Sequence, residues 1–343
     1  MKKSLLALAV LGAFVGAASA QSSVTIFGIV DLSLKQVKND GSDARKTMDN
    51  NALNSNRLGF RGVEDLGGGL KAAFHLEAPM ANDTGNPGGL TFTRRSTLTL
   101  MGNWGQFRMG REYTPSFWNM TIFDPMGTVG AGSSLNISRA VGAIPTYVRS
   151  NNSIGYHLPA LGGVYGEFMV APGEGGPGKY SGGRIGFGAG PINVAAAFGN
   201  TELNAAGTLK GKVFNIAGSY KIGPATIMAQ LNNDKTDTAA GEDKESRILL
   251  GANIVVGQGE IRGSWVKTDR KNNLTGGTDE SQDDASQITI GYVYNLSPRT
   301  ALYTTYANIS NKGASNFAIA GGAAAPTAGG KSKGLEAGLR HSF

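Results

Sequence analysis

Three histidines, His75, His157 and His341, are the only imidazoles in the chain. Their separations match no metal-ligand motif of the HExxH kind. Cysteine is absent, which removes disulfides, thiolate nucleophiles and thiolate zinc sites. No Gly-x-Ser-x-Gly elbow occurs, so an esterase has no candidate nucleophile. Residues Ala325 to Ser332 follow a relaxed phosphate-loop pattern. Such a loop must follow a buried strand and open a helix, whereas this one follows an Ala/Gly run and precedes a strand pattern. Gly186, Gly188 and Gly190 run into Pro191 with no helix behind them, so they read as a turn. Asp279, Glu280, Asp283 and Asp284 do not have the spacing of an EF-hand loop and read as a solvated loop. Arginine is the residue type whose placement stands out, and its chemistry is fixed positive charge and fork-shaped hydrogen bonding.

That placement depends on the elements carrying the arginines. The chain has 343 residues, 52 of them Gly, with 40% hydrophobic and only 17% charged residues. It is too apolar for disorder and charge-poor for a soluble enzyme of its length. Lys2 and Lys3, an apolar run from Leu5 to Ala18 and the small residues Ala18-Ser19-Ala20 make a signal peptide over residues 1–20, with residues 21–343 exported. Loss of Lys2 and Lys3 lowers the basic count from 32 to 30 against 25 acids, so the net charge falls from +7 to +5. Basic residues are scattered at strand intervals rather than clustered, which argues against nucleic acid as a partner. No later segment is long and apolar enough for a spanning helix.

The exported part repeats one unit: a run of about ten residues alternating apolar with polar or small ones, a turn, and another run. Leu335, Ala337, Leu339, His341 and Phe343 share one face, and Glu336, Gly338, Arg340 and Ser342 share the other. Short connections at 64–70, 103–106, 159–163, 188–191, 222–224, 257–259 and 295–298 alternate with long polar ones at 38–54, 79–91, 113–146, 171–179, 200–209, 233–244, 268–285 and 310–332. Fifteen connections give sixteen strands with both ends on the short-turn side. Sorting by length is the pattern of an outer-membrane barrel, with short periplasmic turns and long extracellular loops. Sixteen strands enclose an aqueous channel. The fold expected is therefore an all-β, 16-stranded antiparallel transmembrane barrel.

Parity sets Arg57, Arg61, Lys71, Arg95, Arg108, Arg149, Arg184, Arg262 and Arg340 opposite the bulky apolar face, hence in the lumen. Strict alternation sends Arg94 outward, although it lies near a loop end. The connection after Tyr113 is unusually apolar, with Phe117, Trp118, Met120, Ile122 and Phe123, and is expected to fold into the lumen. Its acids are Glu112 at the base and Asp124 within.

These residues form recognisable motifs: Ser23-Val24-Thr25-Ile26-Phe27-Gly28, Arg57-Leu58-Gly59-Phe60-Arg61-Gly62, Glu64-Asp65-Leu66-Gly67-Gly68-Gly69-Leu70, Thr93-Arg94-Arg95-Ser96, Gly110-Arg111-Glu112-Tyr113, Phe123-Asp124-Pro125, Asn152-Ser153-Ile154-Gly155-Tyr156 and Leu339-Arg340-His341-Ser342-Phe343. With them the whole chain resembles the Gram-negative trimeric general porins, in particular the anion-selective betaproteobacterial branch. The resemblance implies a homotrimer in the outer membrane, in contact with its lipid and lipopolysaccharide. It also implies a third loop (with Glu112, Tyr113, Phe117, Trp118, Asp124 and Pro125) folded in as a constriction. A basic cluster faces that loop, on Arg57, Arg149 and one of Arg94 and Arg95. The terminal Phe343, with Leu339 and His341 before it, is the implied signal for the barrel-assembly machinery. The function expected is passive diffusion of small hydrophilic and anionic solutes, with no cofactor and no catalysis, favouring anions through the arginines. The alternatives are a channel specific for phosphate or organic acids, and an exported β-adhesin.

Overall fold

In a computed structural model the described residues are 23–85, 90–274 and 282–343. The expected signal peptide, residues 1–20, and the loop acids Asp279 and Glu280 lie outside them. The strands are β1 (Ser23–Asn39), β2 (Arg45–Asn50), β3 (Arg57–Gly67), β4 (Leu70–Pro79), β5 (Arg95–Gly102), β6 (Gly105–Tyr113), β7 (Arg149–His157), β8 (Val164–Ala171) and β9 (Tyr180–Ala189). They continue as β10 (Ile192–Glu202), β11 (Lys210–Ile222), β12 (Ala225–Thr238), β13 (Gly241–Val256), β14 (Gly259–Leu274), β15 (Ala285–Asn295), β16 (Thr300–Asn311) and β17 (Lys331–Ser342).

Every neighbouring pair is antiparallel, and the sheet closes where β1 meets β17 from Ile29↔Ser342 to Asn39↔Ser332. The seventeen segments occupy sixteen positions, because β3 pairs with β1 over Ser23 to Ile29 and β2 pairs with the same edge over Leu32 to Val37. The barrel is thus 16-stranded and has no free edge, which a bilayer requires. At the seam Gly28 N–H donates to the Phe343 carbonyl at 3.0 Å, and Phe343 N–H donates back at 3.1 Å. A Cβ on Gly28 would stand 2.4 Å from the Phe343 ring, so this position needs glycine for close approach.

Alternation sorts the side chains as expected. Val24, Leu98, Ile185, Leu250, Ile288, Leu335, Leu339 and Phe343 are exposed on the outer surface, while Lys35, Gln230, Arg247 and Glu336 are buried inside. Each large apolar side chain moved from water into lipid contributes about 1.5–3 kcal/mol. His341 accompanies this face, with Nδ1 2.9 Å from the Thr300 hydroxyl.

Three features differ from expectation. The polar stretch 233–244 is not a loop: β12 runs to Thr238 and β13 starts at Gly241. Likewise β14 continues to Leu274 inside the expected loop 268–285. Polar runs extend as strands here because the inward groups find partners, such as Arg247 with Asp234 and Glu245. The third feature is an inward excursion at 51–56, between β2 and β3. The Asp31 carboxylate accepts the N–H groups of Leu53 at 2.9 Å and Asn54 at 2.6 Å, and the Asn56 amide donates to the Asp31 carbonyl at 2.9 Å.

The connection from Thr114 to Val148 lies inside the barrel. It contains helix α1 (Pro115–Ile122), with Pro at its start, a 3-10 turn at Ser134–Ile137 and a short helix α2 (Ala140–Ala143). Phe117, Met120, Ala140, Ile144 and Tyr147 form an apolar cluster against Val213 of the wall. Further along, Ala131 and Ile137 join Phe317 and Ile319 of the last long loop against Val37, Leu249 and Ile309. Two loops therefore fill part of the mouth from within.

Candidate functional site

The inward loop is fastened by polar residues of the opposite wall. Asn119 donates to Asn215 at 2.8 Å, and Asn215 donates to the Ser116 carbonyl at 3.1 Å. Gln230 caps the Met120 carbonyl at 2.8 Å, at the end of α1. Tyr147 donates to Asp234 at 2.9 Å, and the buried Arg247 reaches Asp234 at 3.1 Å and Glu245 at 2.6 Å. Gln287 donates to the Gly132 carbonyl at 2.9 Å, and Glu336 accepts Ala131 N–H at 3.0 Å. Arg184, expected as a lumen charge, donates to Asn119 at 3.1 Å and so serves the loop as well. Unpaired backbone groups inside a barrel are costly, and these bonds satisfy them while fixing the loop in place.

Between the free side of this loop and the wall lies a cavity of about 510 Å³. Arg57, Arg94, Arg149 and Tyr113 line one side, Trp118, Thr121 and Thr128 the other, and Asn54 and Ser55 of the excursion a third. Arg262 also reaches it, beside Glu260. The Arg149 guanidinium lies 4.2 Å from the Tyr113 ring centre, and its Nε donates to the Arg94 carbonyl at 2.7 Å. Arg57 Nε donates to the Ser55 carbonyl at 3.1 Å. One carboxylate serves this group: Glu77 Oε2 is 3.3 Å from Arg57 and 3.5 Å from Arg94, while Oε1 is 2.8 Å from His75. Three guanidiniums against Glu77 leave about two positive charges facing the cavity.

The outward orientation expected for Arg94 is corrected. Arg94 precedes β5, and its N–H donates to the Glu77 carbonyl at 3.1 Å. Strand alternation does not govern a residue outside the strand, so the side chain turns in toward Glu77. Arg95 lies instead with Glu112, at 2.8 Å, and Glu112 also holds Arg108 at 3.1 Å. Arg95 and Arg108 border a second space together with Arg61 and His75. Arg61 stands 5.1 Å from the Phe27 ring centre, and Lys71 lies at the short-turn mouth beside Gln106.

The loop acids also sit differently from their expected role. Glu112 is buried on the wall between two arginines. Asp124 is buried in its own turn, accepting N–H groups of Met126 at 2.8 Å, Thr128 at 3.2 Å and Ser134 at 3.3 Å. Burial pushes the Asp124 carboxyl above the ordinary range, opposed by these donors. Its oxygens are spent on the loop, so Asp124 shapes the turn ahead of Pro125 and does not answer the arginines. Among the described residues no group of three or more His, Asp or Glu is placed to hold a metal. Asp283 accepts Ala314 N–H at 2.6 Å and anchors the last loop.

Sequence reasoning missed Glu77, the excursion and the Arg247 network. Glu77 was visible by parity with His75 on β4, but nothing marked it as the partner of arginines on the strands to either side. The excursion had no signal beyond a run of asparagines.

Comparison with known proteins is consistent with this geometry. A family model described as Gram-negative porin matches residues 7–314. The chain is 38% identical to outer membrane porin protein 32 of Delftia acidovorans, over the full length of both. It is 30% identical to an outer membrane porin protein of Bordetella pertussis, again over the full length of both. Among solved structures, an anion-selective porin from Comamonas acidovorans superposes with a TM-score of 0.85 at 34% identity, covering 94% of this chain and all of that one.

Proposed function

The chain belongs to the Gram-negative porin family, is an outer-membrane channel, and we propose that it passes small hydrophilic solutes with a preference for anions set by Arg57, Arg94 and Arg149. One observation carries the preference: Arg57, Arg94 and Arg149 face the cavity with Glu77 as their one carboxylate among the described residues, while the fourth arginine there, Arg262, is paired with Glu260 and the loop acid Asp124 is turned into its own backbone. Charged walls at a constriction set ion selectivity in channels, and the residues opposite the arginines, Trp118, Thr121 and Thr128, bring no charge to offset them.

Passage involves two stations along the wall. Arg61, Arg95 and Arg108 lie at the second space, where Arg95 and Arg108 share Glu112, which cancels one of their two charges. Arg57, Arg94 and Arg149 replace part of the hydration of an anion at the narrow point. Tyr113 and Glu77 hold their guanidiniums in place, so the charges remain at the wall. No catalytic step is assigned to any residue. We also infer a homotrimer, supported by family membership and the apolar outer face, and recognition of Phe343 by the barrel-assembly machinery, supported by its terminal position on that face.

The test is ion substitution in single-channel recordings. Replacing chloride by a bulky organic anion is expected to cut the current strongly, and replacing potassium by a bulky organic cation to cut it little. The opposite ranking would overturn the proposal.

A further inference from the structure

The face that helix α1 turns toward the water of the channel is apolar. Ser116, Phe117, Asn119 and Met120 are buried against the barrel wall. Trp118, Thr121 and Ile122 occupy the other face, at the spacing that brings residues i, i+3 and i+4 together. A helix with one face in water ordinarily carries polar residues there, yet Ile122 is 39% exposed and lines the cavity together with Trp118. Val129 of the same loop extends this strip. Met228 carries it onto β12. Its strand neighbours Ile227 and Ala229 are exposed on the outer surface, so Met228 points into the lumen, where it lines the same cavity.

Polar atoms near the strip are committed elsewhere. The Thr121 hydroxyl donates to the Gly127 carbonyl at 3.0 Å and the Thr128 hydroxyl donates to it at 2.6 Å, so both protons stay within the loop. Asn253 and Arg262 line the cavity one inward step nearer the short turns than Met228, and Arg262 is held by Glu260 at 2.5 Å. Across the cavity stand Arg57, Arg94 and Arg149. The charged and apolar sides meet at Tyr113. Its ring centre is 4.2 Å from the Arg149 guanidinium and 5.0 Å from the Trp118 ring centre, with the two rings edge to face. A space of about 510 Å³ lined by apolar side chains with a few convergent charged groups has the size and make-up of a small-molecule site.

We propose that the constriction is a two-faced site for organic monoanions with an apolar body, the anionic group resting on Arg57, Arg94 and Arg149 and the hydrocarbon on Trp118, Ile122, Val129 and Met228. The inference rests on the anion preference proposed above and adds the class of anion that is held. An inorganic anion uses the arginine side alone. A hydroxyl-rich anion of similar size loses water to a strip that returns no hydrogen bonds, whereas an apolar body removes its own surface and that of the strip from water together. Such a solute stays longer at the narrow point and interrupts the chloride current during each visit.

The experiment uses the purified channel in a planar bilayer with potassium chloride at neutral pH. The probes are cyclohexanecarboxylate and glucuronate, two six-membered-ring monocarboxylates of which the second carries ring hydroxyls. The zero-current potential is recorded first, and then the concentration of each probe that halves the single-channel current. The variants are Met228→Gln alone and Ile122→Thr with Met228→Gln, each confirmed as a folded barrel by heat-modifiable migration. In the wild type, cyclohexanecarboxylate should halve the current at about fivefold lower concentration than glucuronate. That ratio should fall part of the way in Met228→Gln and close to one in the double variant. Equal potency of the two probes in the wild type, no block by cyclohexanecarboxylate, or an unchanged ratio in both variants would overturn the proposal. Equal potency in a channel whose zero-current potential favours chloride removes this inference alone, whereas a potential that favours potassium removes the anion preference and this inference with it.

Discussion

Neutralising the three arginines together, as Arg57→Gln, Arg94→Gln and Arg149→Gln, leaves Glu77 as the remaining charge of the cluster and should invert ion preference. An ion about 5 Å from one unit charge in water feels about 0.8 kcal/mol. Screening with a length of about 8 Å at physiological salt roughly halves this. Two net positive charges then lower the energy of an anion by about 0.9 kcal/mol and raise that of a cation equally, a permeability ratio of roughly 20 in favour of the anion. With Glu77 alone the sign changes, and the ratio becomes roughly 4 in favour of the cation. The assay is the zero-current potential of the triple variant across a planar bilayer under a potassium chloride gradient at low salt. A variant that keeps the anion preference of the wild type would refute the reasoning, because the charges at the second space, Arg61, Arg95 and Arg108, would then set the preference.

Further consequences can be checked on the same preparations. Glu77→Gln raises the net charge at the cavity from about two to about three and should increase the anion ratio several-fold in the same bilayer assay. Arg94→Gln should reduce selectivity more than Arg95→Gln, because Arg95 is already paired with Glu112 at 2.8 Å; equal effects would show that Arg95 also faces the ions. Arg247→Met leaves Asp234 and Glu245 buried beside the loop without their cation, a change that costs about 3–5 kcal/mol. It should lower the thermal transition of the barrel and make single-channel current noisy, and a quiet channel of wild-type stability would contradict the anchoring role. Gly28→Val places side-chain atoms where the Phe343 ring and the Arg57 carbonyl lie and should slow or block formation of the heat-modifiable species on gels.

Much of the architecture was legible because a barrel writes itself into the sequence with period two. Apolar positions such as Leu335 and Leu339 face lipid, and polar positions such as Glu336 face the lumen. The alternation of short and long connections set the strand number and the side on which the ends lie. What failed shares one cause. Length and polarity identify a loop only where strands cannot continue in water, yet 233–238 and 241–244 continue because Asp234 and Glu245 are held by Arg247 inside the barrel. The constriction was legible in part for a related reason. Arg57 and Arg149 start strands and obey alternation. Arg94 does not, because it lies one residue before β5, where a backbone bond to Glu77 sets its direction. Asp124 looked like a charge on the pore because a sequence shows a carboxylate and not the three N–H groups that occupy it. Glu77 faces the arginines only through pairing across β3, β4 and β5, which no local pattern announces.

The most direct test of the central claim is the wild-type zero-current potential measured at low and at molar salt. The screening length shrinks to about 3 Å at 1 M. The anion ratio should therefore fall from roughly 20 near physiological salt to roughly 3 at molar salt. Cation preference at low salt, or an anion preference that does not change with salt, would contradict a selectivity built from the wall charges Arg57, Arg94 and Arg149.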